Sequence, residues 1–149
     1  MKPYGLEEMR PEEIDQFLDS QSTGVLGLPD EGAPYLLPLS YAYDGDSSLY
    51  FTYLLGEQSR KEELTERTER TQFLVYTAET MFNWRSVVLE GTFEKLKPSE
   101  WEGVSDYLEK VWRPEIFKTA DTERNVSIYE FTVDEQSGIR HTGLSPQYE

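Results

Sequence analysis

Leu49-Tyr50-Phe51-Thr52-Tyr53-Leu54-Leu55-Gly56-Glu57-Gln58-Ser59-Arg60-Lys61-Glu62-Glu63-Leu64 decides how the rest of the chain is read. It opens as an aromatic strand, passes a glycine and enters a helix. Ser59 and Glu62 form a Ser-x-x-Glu capping box, which places the helix start and puts Arg60 and Lys61 in its first turn. That end of a helix already carries partial positive charge, so each cation there is unfavourable by about 0.3–1 kcal/mol. An anion bound at the same place removes the conflict, because unpaired helix N–H groups and two cations make a phosphate cradle. The competing reading is local neutralisation by Glu57, Glu62 and Glu63.

Outward from this stretch, the chain reads as one domain over residues 1–149. Twenty-nine acids against 14 Lys plus Arg give a net charge of −15. Ten Tyr, seven Phe and three Trp supply too much bulky apolar surface for a disordered acidic chain. The alternative is a folded protein whose acidic surface is tolerated in concentrated salt, where charges are screened over about 3 Å at 1 M. In this respect the composition resembles that of haloarchaeal cytoplasmic proteins. Without a basic face, nucleic acid and anionic membrane are poor partners. There is no cysteine, which excludes a thiolate nucleophile and zinc–sulfur sites. No apolar run approaches membrane-spanning length, and the expected location is cytoplasmic.

Arg10 to Leu18 predicts a short helix, with Pro11 in its first turn and Ile14, Phe17 and Leu18 as its apolar stripe. Gly24–Leu28 reads as a buried strand, its two glycines allowing close approach to the backbone. Pro29-Asp30-Glu31-Gly32 is turn chemistry. Tyr35–Tyr43 alternates, with Tyr35, Leu37, Leu39, Tyr41 and Tyr43 on one face. Pro38 within it points to a sheet edge or bulge with backbone groups left for a ligand. Strands follow over Gln72–Ala78, Trp84–Leu96 and Val126–Val133. A helix beginning at a Ser99/Glu102 box carries Trp101, Val104, Leu108, Val111 and Trp112. The tail from Asp134 holds Arg140 and His141, the latter expected in solvent. About six strands with flanking helices, joined mostly by hairpins, predict a mainly β protein built as a small antiparallel barrel.

A single histidine cannot make a multi-histidine metal site, and no serine has a recognisable catalytic setting. Demanding chemistry would therefore come from a bound cofactor. A phosphate-bearing ring cofactor unites the cationic helix start with the aromatic strands.

The order of the aromatic-Thr strand, Ser59-Arg60-Lys61 and the later Trp84-Arg85-Ser86-Val87-Val88-Leu89-Glu90-Gly91 resembles the split β-barrel flavoproteins, the pyridoxamine 5′-phosphate oxidase-like family that binds FMN. The resemblance runs from about Gly24 to Phe131. It implies that Arg60 and Lys61, with Ser59 beside them, hold the FMN phosphate. Tyr50, Phe51 and Thr52 would lie against the flavin and ribityl chain, and Pro38, Leu39 and Ser40 would offer backbone groups to the ring edge. It also implies a homodimer with flavins at the seam, where Trp84, Arg85 and Ser86 reach the partner's flavin. Trp84 and Arg85 can equally serve interface packing and ion pairing.

The family's arginine-bearing strand motif is absent from Leu37-Pro38-Leu39-Ser40-Tyr41. The tail Ile139-Arg140-His141-Thr142-Gly143 does not reproduce its substrate motif either. Fold and cofactor therefore carry over better than the namesake activity. The implied function is an FMN-dependent oxidoreductase acting on a small organic substrate. One alternative is a reductase using the deazaflavin F420, disfavoured by the few cations available for its acidic tail. The other is a non-catalytic flavin-binding or sensing dimer.

Overall fold

The computed structural model describes residues 5–54, 60–104, 106 and 126–142. Seven strands, β1 Leu6–Glu8, β2 Thr23–Leu28, β3 Tyr35–Tyr43, β4 Ser48–Leu54, β5 Arg70–Thr80, β6 Asn83–Lys95 and β7 Val126–Thr142, form one antiparallel sheet in the order β1-β7-β4-β3-β2-β5-β6. An additional β6–β7 ladder joins the ends, so six strands close into a barrel and β1 lies outside as an extra strand on β7. Helix α1 (Pro11–Ser20) and helix α2 (Arg60–Arg67) flank it, with a short 3-10 helix at Pro98–Val104. The mainly β barrel with few helices is as the sequence predicts.

Strand alternation builds the core. Leu26 and Leu28, Leu39 and Tyr41, Leu49, Phe51 and Tyr53, Phe73 and Val75, Val87 and Leu89, and Tyr129 and Phe131 all point inward and are buried. Their rings interlock: Phe51 lies 4.9 Å from Phe73 and 5.8 Å from Phe131, and Tyr41 meets Phe73 edge-on at 5.6 Å. Helix α1 adds Ile14, Phe17 and Leu18 to the same cluster, and its Leu18 carbonyl accepts the Tyr41 hydroxyl at 2.7 Å. That bond satisfies the one polar atom Tyr41 carries into the core.

One expectation is met in a specific way and two are corrected. The close approach allowed by the glycines of β2 is made at Gly24 by β5, for a Cβ there would lie 2.5 Å from the Leu74 carbonyl oxygen. The 3-10 helix opens with Lys97 N–H donating to Glu100 at 2.8 Å rather than with a Ser99/Glu102 box. Leu108, Val111 and Trp112, on the later part of that expected helix, lie outside the described residues, as do Ser59 and Glu57. The second correction concerns the tail, for β7 runs on through Asp134 to Thr142, pairing with β6 and then β1. His141 is consequently a buried strand residue, its Nδ1 2.7 Å from the Phe82 carbonyl oxygen and its ring packed by Phe82 and Trp84.

Barrel closure depends on one glycine. The β6–β7 register shifts between Glu90 and Gly91, and a Cβ on Gly91 would overlap the Thr132 carbonyl. Gly91→Ala should therefore destabilise the fold by about 1–3 kcal/mol, the usual cost of overpacking. Gly27→Ala, whose Cβ meets nothing closer than 3.9 Å, should change stability little. Urea denaturation followed by tryptophan fluorescence measures both.

Candidate functional site

The barrel is split where β3 leaves β4. Their ladder holds only Tyr43↔Leu49, Ala42↔Tyr50 and Tyr41↔Phe51, whereas β4 continues along β7 to Leu54 and β3 continues along β2 to Tyr35. From Tyr35 to Ser40, β2 is thus the only described strand partner of β3. The Tyr41 N–H donates to the Ser22 carbonyl on the β2 side at 2.9 Å. By alternation, the amide groups of Leu36 and Pro38 face the open side. Pro38 therefore loses no ladder bond by lacking an N–H, which explains a proline inside a nine-residue strand.

The predicted residues distribute around this split. Pro38 is exposed, Ser40 half-buried, and Leu39 is turned into the core. Tyr50 and Thr52 share the outward face of β4, and Phe51 faces inward. Thr52 is the first β4 residue past the last β3 pair. It is buried, and its Oγ1 has no hydrogen-bond partner among the described residues. A buried hydroxyl without a partner is costly, so it marks a place where a ligand atom would be accommodated.

Helix α2 follows β4 and brings Arg60 and Lys61 to the same end of the barrel. Arg60 donates to Asp30, in the β2–β3 turn, at 2.5 Å and lies 3.8 Å from Glu63. Lys61 lies over the Tyr53 ring, 5.5 Å from its centroid. The hydrogen bond to Asp30, then its charge, raise the Arg60 pKa above its usual value. The neutralising acid is therefore chiefly Asp30, which sequence reasoning missed. Among the described residues, Glu62 turns to the barrel wall: its Oε1 accepts from Lys95 Nζ at 3.0 Å, Ser127 Oγ at 2.9 Å and the Tyr129 hydroxyl at 3.3 Å.

Trp84, Arg85 and Ser86 are not brought to this split within one chain. Ser86 faces outward on β6, three strand spacings from β3, on the order of 14 Å along the sheet. Arg85 has the opposite parity, shared with Val87 and Leu89, and is exposed. The three therefore do not act on one face together.

The outer face bears an apolar row, Pro38, Val25, Leu74 and Val88, matched by register across four strands. Beside it Leu36, Tyr76 and Ile139 are 65%, 56% and 39% exposed. A hollow of about 500 Å³ opens next to Leu36 between Pro29, Pro34, Gln72 and Glu90, with Arg70 at its side. Arg70 offers an anion little, because Asp134 and Glu90 already hold it, at 2.6 Å and 2.7 Å. Their hydrogen bonds push its pKa well above the usual guanidinium range. Among the described residues, no group of three or more His, Asp or Glu is arranged to hold a metal ion. Nor is any helix among them long and apolar enough to cross a membrane.

A six-stranded split barrel with a cationic helix start at its opening defines a class of small antiparallel-barrel proteins. The chain belongs to the pyridoxamine 5′-phosphate oxidase family, whose sequence pattern it matches over residues 10–140. No curated protein matches it significantly. Among solved structures it is similar to an FAD-binding protein of Mesorhizobium loti, with TM-score 0.70, 24% identity and coverage of 91% of this chain and 96% of that one. An FAD- and heme-binding protein of Mycobacterium smegmatis gives TM-score 0.69 at 18% identity, covering 95% and 74% of the two chains. An FAD-binding protein of the same organism gives TM-score 0.70 at 11% identity, covering 91% and 98%. At these identities the likeness is one of fold.

Thr52→Val tests the orphaned hydroxyl. Valine keeps the shape and removes a polar group without a partner, so the midpoint of urea unfolding should stay the same or rise. A drop of more than about 1 kcal/mol would show that the hydroxyl is bonded within the protein.

Proposed function

We propose that the protein is a flavin-dependent oxidoreductase acting on a small organic substrate, with FMN held at the split between β3 and β4. The observation that carries this reading is the meeting, at one end of the barrel, of the α2 start with Arg60 and Lys61, the open side of β3 and the orphaned Thr52 hydroxyl. Arg60 and Lys61, with Ser59 beside them, take the phosphate. Tyr50 and Thr52, on the outward face of β4, form the bed for the ribityl chain and ring, to which the Thr52 Oγ1 contributes a hydrogen bond, while Phe51 between them faces the core. Leu36, Pro38 and Ser40 present backbone to the ring edge, while Leu39 between them keeps its backbone on β2 and its side chain in the core. A bound flavin supplies hydride or single-electron chemistry that none of these side chains offers. The protein supplies position, charge and exclusion of water.

FMN is preferred over F420 because the cations are few. Among the described residues, Arg10, Arg70, Lys95 and Arg140 are all held by carboxylates, leaving little for a long acidic tail. Three similar structures are FAD-binding by name, so FAD is the closer competitor. A non-catalytic flavin-binding or sensing protein is favoured by one feature: the only histidine is buried beside Phe82 and Trp84, in the sheet row of Ala78 rather than at the split.

The outer apolar face fits a homodimer, since its row of Pro38, Val25, Leu74 and Val88 is flanked by exposed Leu36, Tyr76 and Ile139. In a dimer formed there, Trp84 and Ser86 would approach the partner's flavin. The acidic surface suits a cytoplasm rich in salt.

Protein purified in molar salt should show a flavin visible spectrum or take up added FMN, and mass spectrometry of the released ligand tells FMN from FAD and F420. A protein that stays colourless with all three refutes the reading. Arg60→Ala with Lys61→Ala should weaken FMN binding by about 100-fold or more, given about 1.5–3 kcal/mol per charge-assisted hydrogen bond, with the fold intact by circular dichroism. Tyr76→Glu with Ile139→Glu should convert the dimer to a monomer in sedimentation equilibrium.

A further inference from the structure

Glu62 follows directly after the two cations of the proposed phosphate clamp, and its carboxylate is bound to the barrel wall. Among the described residues it accepts from β6 (Lys95) and β7 (Ser127 and Tyr129), at 3.0, 2.9 and 3.3 Å. Tyr129 packs on Tyr53, ring centroids 4.9 Å apart. The Tyr53 hydroxyl lies 2.7 Å from Thr65 Oγ1, and that Oγ1 donates to the Lys61 carbonyl at 2.6 Å. Lys61 itself lies on the Tyr53 ring. A closed circuit of contacts therefore ties the first turn of α2 to β4, β6 and β7. Burial alone would raise the Glu62 carboxyl, but the hydrogen bonds from Lys95 and Ser127 outweigh it and hold the group below its ordinary 4.5. It is an anion at neutral pH.

We propose that Glu62 is a positioning residue for the phosphate clamp, holding the start of α2 against β6 and β7 so that Arg60 and Lys61 are in place before the ligand arrives. The inference rests on the phosphate reading given above, and it makes a prediction of unexpected sign. Judged by charge alone, an anion beside a phosphate site opposes binding, and its removal should tighten it. As a strut, its removal should weaken binding.

FMN and riboflavin, which differ by the phosphate, are titrated by flavin-fluorescence quenching against the wild type and four variants in molar salt. Glu62→Ala should lower FMN affinity about tenfold, the scale on which supporting hydrogen-bond partners act at metal sites, and leave riboflavin affinity unchanged. Ser127→Ala, which alters no charge, should lower FMN affinity in the same direction by less. Glu62→Gln keeps acceptors for the two hydroxyls and should fall between Glu62→Ala and wild type. Should Glu62→Ala not fold, Ser127→Ala carries the test alone. Unchanged or tighter FMN binding in Glu62→Ala, or in Ser127→Ala if that variant stands alone, overturns the proposal. So do equal losses of FMN and riboflavin, which mean general loosening. If Arg60→Ala with Lys61→Ala keeps the preference for FMN over riboflavin, the clamp reading falls and the strut with it. If that double variant loses the preference while Glu62→Ala and Ser127→Ala retain it, the strut alone falls.

Discussion

Everything in this fold depends on the ladder between β6 and β7. Without it the chain is an open sheet of seven strands; with it, six of them enclose a core of Tyr, Phe and Leu side chains. The ladder spans Asn83↔Thr142 to Lys95↔Tyr129, interrupted by one shift beside Gly91. Such an irregularity bends and twists the strands locally, which a small barrel needs in order to close. The only residue that fits against the Thr132 carbonyl at that point is one with no side chain. Closure on that side allows opening on the other: β3 can part from β4 after Tyr41↔Phe51 because β4 is secured by β7 along its whole length.

The opening is bordered by opposed demands. The start of α2 is favourable for an anion, yet the chain carries a net charge of −15. Two carboxylates close to the two cations are placed differently. Asp30 reaches across from the β2–β3 turn to Arg60, while Glu62 faces the barrel wall. Positive charge is thus partly balanced in the absence of a ligand without being spread over the surrounding acidic surface. Farther round the molecule, Arg70 and Arg140 are each shared between two acids, Glu90 with Asp134 and Glu7 with Glu13, and serve the fold instead.

Much of this was legible in the sequence because the strands alternate strictly. Tyr35–Tyr43 is readable to the residue, and Pro38 by itself marks a strand side without a full ladder. Family membership was carried by ordered motifs rather than by composition. What was not legible has physical causes. The second half of β7 turns Gly138 and Arg140 toward β1 and α1, where Met9 and Ile14 press on the glycine and Glu7 and Glu13 bind the arginine. A glycine and an arginine give no apolar period, so this stretch reads as a tail and His141 as solvated. Asp30 reads as a turn residue, but its bond to Arg60 exists only because β4 returns the chain to the β2–β3 turn thirty residues later. Ser59, which the sequence places at the helix cap, lies outside the described residues.

Strand β7 has one more consequence, for the order in which the chain becomes a protein. Its three partners, β1, β4 and β6, all precede it in sequence, and β1 has no other partner among the described residues. While the ribosome is still making residues before 126, β4 lacks the strand that secures it and β6 has β5 alone. The hairpins β2–β3, β3–β4 and β5–β6 can form locally in that interval. The enclosed core cannot, because its sequence-distant pairings await the last strand. Until then the nascent chain exposes aromatic strand faces and unpaired edges, and a high density of carboxylates is well suited to keeping such a chain in solution.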